Sequence, residues 1–91
     1  MKNTDFIEFL EREIKGVLIC KEKKEAQSKA VDILNTLNFK IVNIQHNRII
    51  AKASRRKFQK IKQCWMSNNK DDNLSQRLNE CINKMILSGR A

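Results

Sequence analysis

Three cysteines and a single histidine are the residues of this 91-residue chain best suited to metal or covalent chemistry. Cys20, Cys64 and Cys81 with His46 make a formal Cys₃His zinc set. Structural zinc sites hold their ligands in close pairs such as C-x₂-C, and no such pair exists here, so no metal is expected. Nucleophilic catalysis needs a base beside the nucleophile, and the only histidine falls at a turn between apolar runs. Metal-dependent nucleases need carboxylates converging on a cation. The hairpin that follows the second helix contains no Asp or Glu. Asp71-Asp72 suits a loop and a helix start better than a cation site. Gly16 and Gly89 are isolated, so no glycine-rich phosphate loop is present. The expectation is a protein that is not an enzyme and has no cofactor.

What the residue types do favour is electrostatic. The net charge is +9, and its placement matters more than its size. From Met1 to Asp32, and again from Asp71 to Ala91, acids and bases balance. Between Ile33 and Lys70 stand Lys40, Arg48, Lys52, Arg55, Arg56, Lys57, Lys60, Lys62 and Lys70, with no acid. A codon bias toward A and T would enrich lysine but would not remove Asp and Glu. A segment carrying the whole excess charge fits a partner that is itself acidic. Arg48, Lys52, Arg55, Arg56, Lys60 and Lys62 are the expected phosphate contacts. The Arg55-Arg56 pair would lie near a helix N-terminus, which itself favours anions. Gln59 and Gln63 are spaced to read base edges, but solvated surface glutamine is the simpler assignment. The four Phe and one Trp lie on or beside apolar stripes, which leaves little for base stacking and puts Trp65 in the core.

The elements that must position these residues follow from hydrophobic spacing. Thr4 can cap a first helix from about Asp5 to Lys15, with Phe6, Leu10 and Ile14 on one face. Val17 to Cys20 fits either a helical extension or a short buried strand. A second helix from about Glu22 to Leu37 places Ala26, Ala30, Ile33, Leu34 and Leu37 together, and Asn38 stops it. Phe39 to Ala53 reads as a hairpin turning at His46-Asn47, with Ile44 facing Ile49 and Val42 facing Ala51. Ser54 can cap a third helix to about Ser67, whose stripe is Phe58, Ile61 and Trp65. After a polar loop, Leu74, Leu78, Cys81, Ile82 and Met85 predict a fourth helix ending near Gly89.

The resulting fold class is α+β: one helix-rich domain over residues 1–91, with about four helices around a small antiparallel sheet built on the 39–53 hairpin. Its parts are charge-balanced helices over 1–38, a basic hairpin–helix segment over 39–67 and a C-terminal helix over 72–88. The longest apolar run, Val17 to Cys20, is far short of a membrane span. An acidic N-terminal stretch is wrong for a secretory signal, and three widely spaced cysteines suit a reducing cytoplasm. Over Arg48 to Met85, a strand with Ile49, Ala51 and Ala53 inward and then two helices resembles the ribbon-helix-helix DNA-binding family. That resemblance implies a dimer joined through the strand, with Arg48, Ile50 and Lys52 reading the major groove. It covers less than half of the chain. Ile50 stands where a polar reader is required and a preceding strand competes for the pairing edge, so it is set aside. The function expected is non-enzymatic nucleic-acid binding, DNA or RNA, by a small regulator or accessory factor. The rival is a protein-interaction module, an adaptor or inhibitor whose basic face docks on an acidic protein or fills a partner's nucleic-acid groove. A homodimer is compatible with both.

Overall fold

In a computed structural model, the backbone is described for residues 3–87 and the side chains for residues 6–87. The order of elements is α1 (Asn3–Glu11), β1 (Glu13–Cys20), α2 (Ala26–Thr36), β2 (Lys40–Gln45), β3 (Arg48–Ser54), α3 (Arg55–Ser67), α4 (Asn73–Cys81) and β4 (Ile82–Leu87). The four strands form one antiparallel sheet in the order β2-β3-β1-β4. This is the split βαβ, ferredoxin-like arrangement, with α1 added in front and the second crossover broken into α3 and α4. The α+β class expected from the sequence is the class found.

Local chemistry explains most boundaries. Asn38 takes φ 64°, the left-handed conformation that ends α2 and that Asn tolerates better than most residues. His46 takes φ 53° at the two-residue turn, and Ile44 pairs with Ile49 as the hairpin reading expects. The Ser54 hydroxyl accepts from the Lys57 backbone N–H at 3.3 Å and caps α3. Asp72 does the same for α4, accepting from the Leu74 N–H at 3.1 Å.

Four expectations are corrected. The first helix stops at Glu11, and Ile14 and Gly16 lie in a strand instead of a helix reaching Lys15. The capping assignment to Thr4 lies outside the described side chains. The second helix begins at Ala26, not Glu22, because Lys21 to Glu25 form the turn that leads into it. Val42 does not face Ala51: a bulge between Ile41 and Asn43 gives Ala51 to Ile41 and leaves Val42 exposed. The fourth helix ends at Cys81, and Ile82 turns at once to φ −108°, ψ 126°. Ile82 to Leu87 then pair with β1, so the apolar residues past Cys81 serve a strand. Gly89, the expected helix end, lies outside the described residues.

One hydrophobic core holds the domain. Ile14, Leu18, Ile49, Ala51, Ile82 and Met85 on the sheet meet Ala30, Ile33 and Leu34 of α2, Phe58 and Ile61 of α3, and Leu78 and Cys81 of α4. Gly16 is needed where α3 crosses β1: a Cβ there would lie 2.4 Å from a carbon of the fully buried Phe58 ring. Trp65 belongs to this packing, half-buried, with its indole N–H donating to the Ile82 carbonyl at 3.1 Å. Ser75 is fully buried and joins α3 to α4, donating to the Cys64 carbonyl at 2.7 Å and accepting from the Asn69 N–H at 2.9 Å.

Candidate nucleic-acid interface

Side chains alternate along a strand, so burying one set of residues turns the other set to the opposite face. On β1 the buried residues are Ile14, Gly16, Leu18 and Cys20, which leaves Glu13, Lys15, Val17 and Ile19 on the far side. On β3 the buried set is Ile49, Ala51 and Ala53, leaving Arg48, Ile50, Lys52 and Ser54. The apolar faces of α2, α3 and α4 all join the buried set, so none of these three helices covers the second face.

Pairing arranges that open face in rows. Lys40, Lys52 and Lys15 lie side by side across β2, β3 and β1. The next row is Asn43, Ile50, Val17 and Ile86. The third is Gln45, Arg48, Ile19 and Lys84. Two basic rows thus bracket an apolar one, each about 7 Å from it along the strands. Among the described residues, none of these five cations makes an ion pair. Among the described residues, the one carboxylate on the face is Glu13, at its margin opposite Ser54.

The expected site residues therefore divide between two places. Arg48 and Lys52 stand on the open face, while Arg55, Arg56, Lys60 and Lys62 belong to α3, which packs on the other side of the sheet. Arg55 lies 4.0 Å from the centre of the Phe9 ring of α1, and its backbone N–H donates to the Arg12 carbonyl. Arg56 pairs with Glu11 at 3.1 Å. The cluster that has no acid near it in sequence has one in space, because α1 folds back beside α3. Lys57 serves structure, donating to the carbonyls of Leu37 and Asn38 at 3.1 and 3.3 Å where α2 ends. Lys60 is exposed at the rim of a small apolar groove with Leu37, Phe39, Ile61 and Leu74, and Lys62 is half-buried.

Neither a protein-family model, nor a curated protein, nor a solved structure matches this chain. Its site has to be read from its own residues. The ribbon-helix-helix resemblance fails on topology, since β3 is paired on both edges, by β2 and by β1, and has none left for a second copy.

Sequence reasoning left Lys15, Lys40 and Lys84 out of the expected contacts; Lys15 and Lys84 each lie in a segment whose charges balance along the chain. The signal was the alternation of Lys15, Val17 and Ile19 against Ile14, Leu18 and Cys20, which reads as a strand once a pairing partner is known.

The thiols do not form a reactive set. Cys20 and Cys81 are buried, and burial is the main cause that raises both; Cys81 is pushed up to about 11, with the nearby Cys20 adding to the effect. Cys64 is also raised, by burial first and then by Asp72, whose carboxylate accepts from its Sγ at 3.2 Å. Thiols held protonated in this way are poor nucleophiles and poor ligands. His46 is exposed at its turn, as expected. Among the described residues, no group of three His, Cys, Asp or Glu is placed to hold a metal. A cleft of about 420 Å³ between Cys20 and His46 is open and lined by Lys21, Lys23 and Lys24.

Proposed function

We propose that this protein binds nucleic acid without catalysis, through the open face of its sheet. The observation that carries the reading is the pair of basic rows, five cations without an ion pair among the described residues. A cation held by a carboxylate must give up that partner to meet a phosphate. Lys15, Lys40, Arg48, Lys52 and Lys84 have no such partner among the described residues. Arg48 and Lys52 are the centre of this site. Arg55, Arg56, Lys60 and Lys62 form a secondary basic surface on the helical side. No aromatic ring stands on the described open face, so affinity comes from backbone contacts and aliphatic packing and not from base stacking. The protein acts as a small regulator or accessory factor in the cytoplasm, where its three thiols stay reduced.

The rival reading, a module that docks on an acidic protein, is favoured by the aliphatic row of Ile50, Val17 and Ile86. A protein partner would cover that row more fully than a phosphate backbone.

Fluorescence anisotropy with duplex and single-stranded DNA and RNA, titrated with salt, tests the proposal. Four to five phosphate contacts on duplex DNA give a log–log slope of about −3.6 to −4.5. Slopes near zero for every nucleic acid, or no binding at low salt, would reject it. A clean absorbance ratio at 260 and 280 nm with capture of one acidic protein would turn the reading to the rival.

A further inference from the structure

Size and relief of the open sheet face decide what kind of nucleic acid can meet all of it. Arg48 and Lys52 are four residues apart on β3, so the two basic rows stand about 13–14 Å apart along the strands. Strands about 4.8 Å apart spread Lys40, Lys52 and Lys15 over about 10 Å. Arg48 and Lys84, with Ile19 between them, cover the same span. Asn43, Ile50, Val17 and Ile86 fill the space between the rows. These are short side chains, and Val17 and Ile50 are half-buried among their neighbours.

A duplex presents two phosphate backbones with a groove between them. Both grooves of B-DNA are deep, about 7.5–8.5 Å, and the major groove admits an α-helix or a two-stranded ribbon. A sheet of four strands is too broad to enter either. Resting on the rims, it would put lysines on phosphates but hold Ile50 and Val17 above a trench of water. The minor groove of A-form RNA is wide and shallow and displays the ribose 2′-hydroxyls. There the same short side chains meet the ribose faces, while the longer lysines and Arg48 reach outward to both backbones. Asn43 suits this groove as well. Its Oδ1 accepts from the Ile44 N–H at 2.9 Å, and its amide N–H groups are donors for a 2′-hydroxyl oxygen. A single strand has one backbone for two basic rows, and the described face has no ring on which its bases could stack.

From this arrangement we infer that the open face takes double-stranded RNA and lies across its shallow minor groove, with Lys15, Lys40 and Lys52 on one backbone and Arg48 and Lys84 on the other. The inference rests on the nucleic-acid reading above and narrows it to one class of duplex. Contacts to phosphate and ribose carry no sequence information, so recognition is by the shape of the duplex and not by its bases. The aliphatic row is then covered on binding, and the two basic rows act together.

Fluorescence anisotropy with the full chain and three probes tests it: a short RNA duplex, the DNA duplex of the same sequence, and one RNA strand alone. At equal salt the RNA duplex is expected to bind about tenfold or more tighter than either of the others. Two variants then ask whether both rows touch phosphate. Lys15→Ala/Lys52→Ala and Arg48→Ala/Lys84→Ala should each flatten the salt slope on the RNA duplex by about two units. These are surface side chains, and circular dichroism with melting curves checks that both variants fold. If the DNA duplex or the single strand binds as tightly as the RNA duplex, with a steep salt slope, the nucleic-acid reading stands and this inference falls. A row variant that leaves the slope unchanged would overturn it too, since the face would then meet one backbone only. Absence of binding to all three probes would remove the inference together with the reading on which it rests.

Discussion

The two faces of one sheet follow different rules. Between Ile49 and Lys52 the chain alternates residue by residue between a core under three helices and a surface that carries charge. The covered face is selected for volume. Phe58 is fully buried over Gly16 and meets Phe39 edge-on, with ring centres 4.9 Å apart. The open face is selected for sign, and its five cations have no ion-pair partner among the described residues. A substitution on the first face should therefore change stability, and one on the second should change binding.

The sharpest way to break that division is at its most packed point. Phe58→Ala should cost about 3–5 kcal/mol, enough to bring a domain of this size close to unfolding in urea or heat. Ile50→Thr, on the opposite face of the neighbouring strand, should cost about 1 kcal/mol or less. Similar losses from the two would mean that the open face is also structural. Gly16→Ala comes next, at about 1–3 kcal/mol, because the ring it meets is held in the core and cannot swing away. An unchanged melting temperature would show that α3 can shift from β1.

On the open face, Lys15→Ala, Arg48→Ala and Lys52→Ala together should flatten the salt dependence of nucleic-acid binding by about three units, with little change in melting temperature. Arg55→Ala, Arg56→Ala and Lys60→Ala should do less, since Arg56 is already neutralised by Glu11 and Arg55 rests on Phe9. If the α3 set proves the more damaging, the site lies on the helical side of the sheet. Lys21→Ala, Lys23→Ala and Lys24→Ala should do least, because Glu22 lines the same cleft and Glu25 follows in the chain.

A smaller effect is expected from pH. The Cys81 thiol is raised from 9.0 to about 11 in the folded protein, so the unfolded chain loses its proton first. Its contribution to stability is complete below pH 9 and declines as pH rises from about 9 to 11. Urea titrations across that range should show a shallower decline for Cys81→Ala than for wild type. Equal slopes would mean that Cys81 adds nothing to the alkaline limb.

Much of the frame was legible in local chemistry. Ser54 as a cap, Asn38 as a stop, the turn at His46-Asn47 and the inward set Ile49, Ala51 and Ala53 each depend on a residue and its near neighbours. Two of the six expected contacts, Arg48 and Lys52, could be placed together on one face from the sequence, because they alternate with apolar residues inside a recognisable hairpin. The two failures at the ends of the first and fourth helices share a cause. Ile14 to Cys20 and Ile82 to Leu87 are short apolar runs that suit a helix face or a strand equally, and only a pairing partner decides between them. Those two runs pair with each other across more than 60 positions of chain, a contact no window along the sequence contains.

The sequence by itself determined the class of the fold, the hairpin, the caps of α3 and α4, and the excess positive charge of the middle segment. Tertiary structure decided where that charge lies on the surface. Pairing of β1 with β3 and β4 brought Lys15 and Lys84 beside Arg48 and Lys52. The return of α1 against α3 gave Arg56 the carboxylate of Glu11. Propensity and capping are short-range and can be read along a chain. The potential at a surface sums over charges near in space, whatever their distance in sequence, and the register of the sheet sets which charges those are.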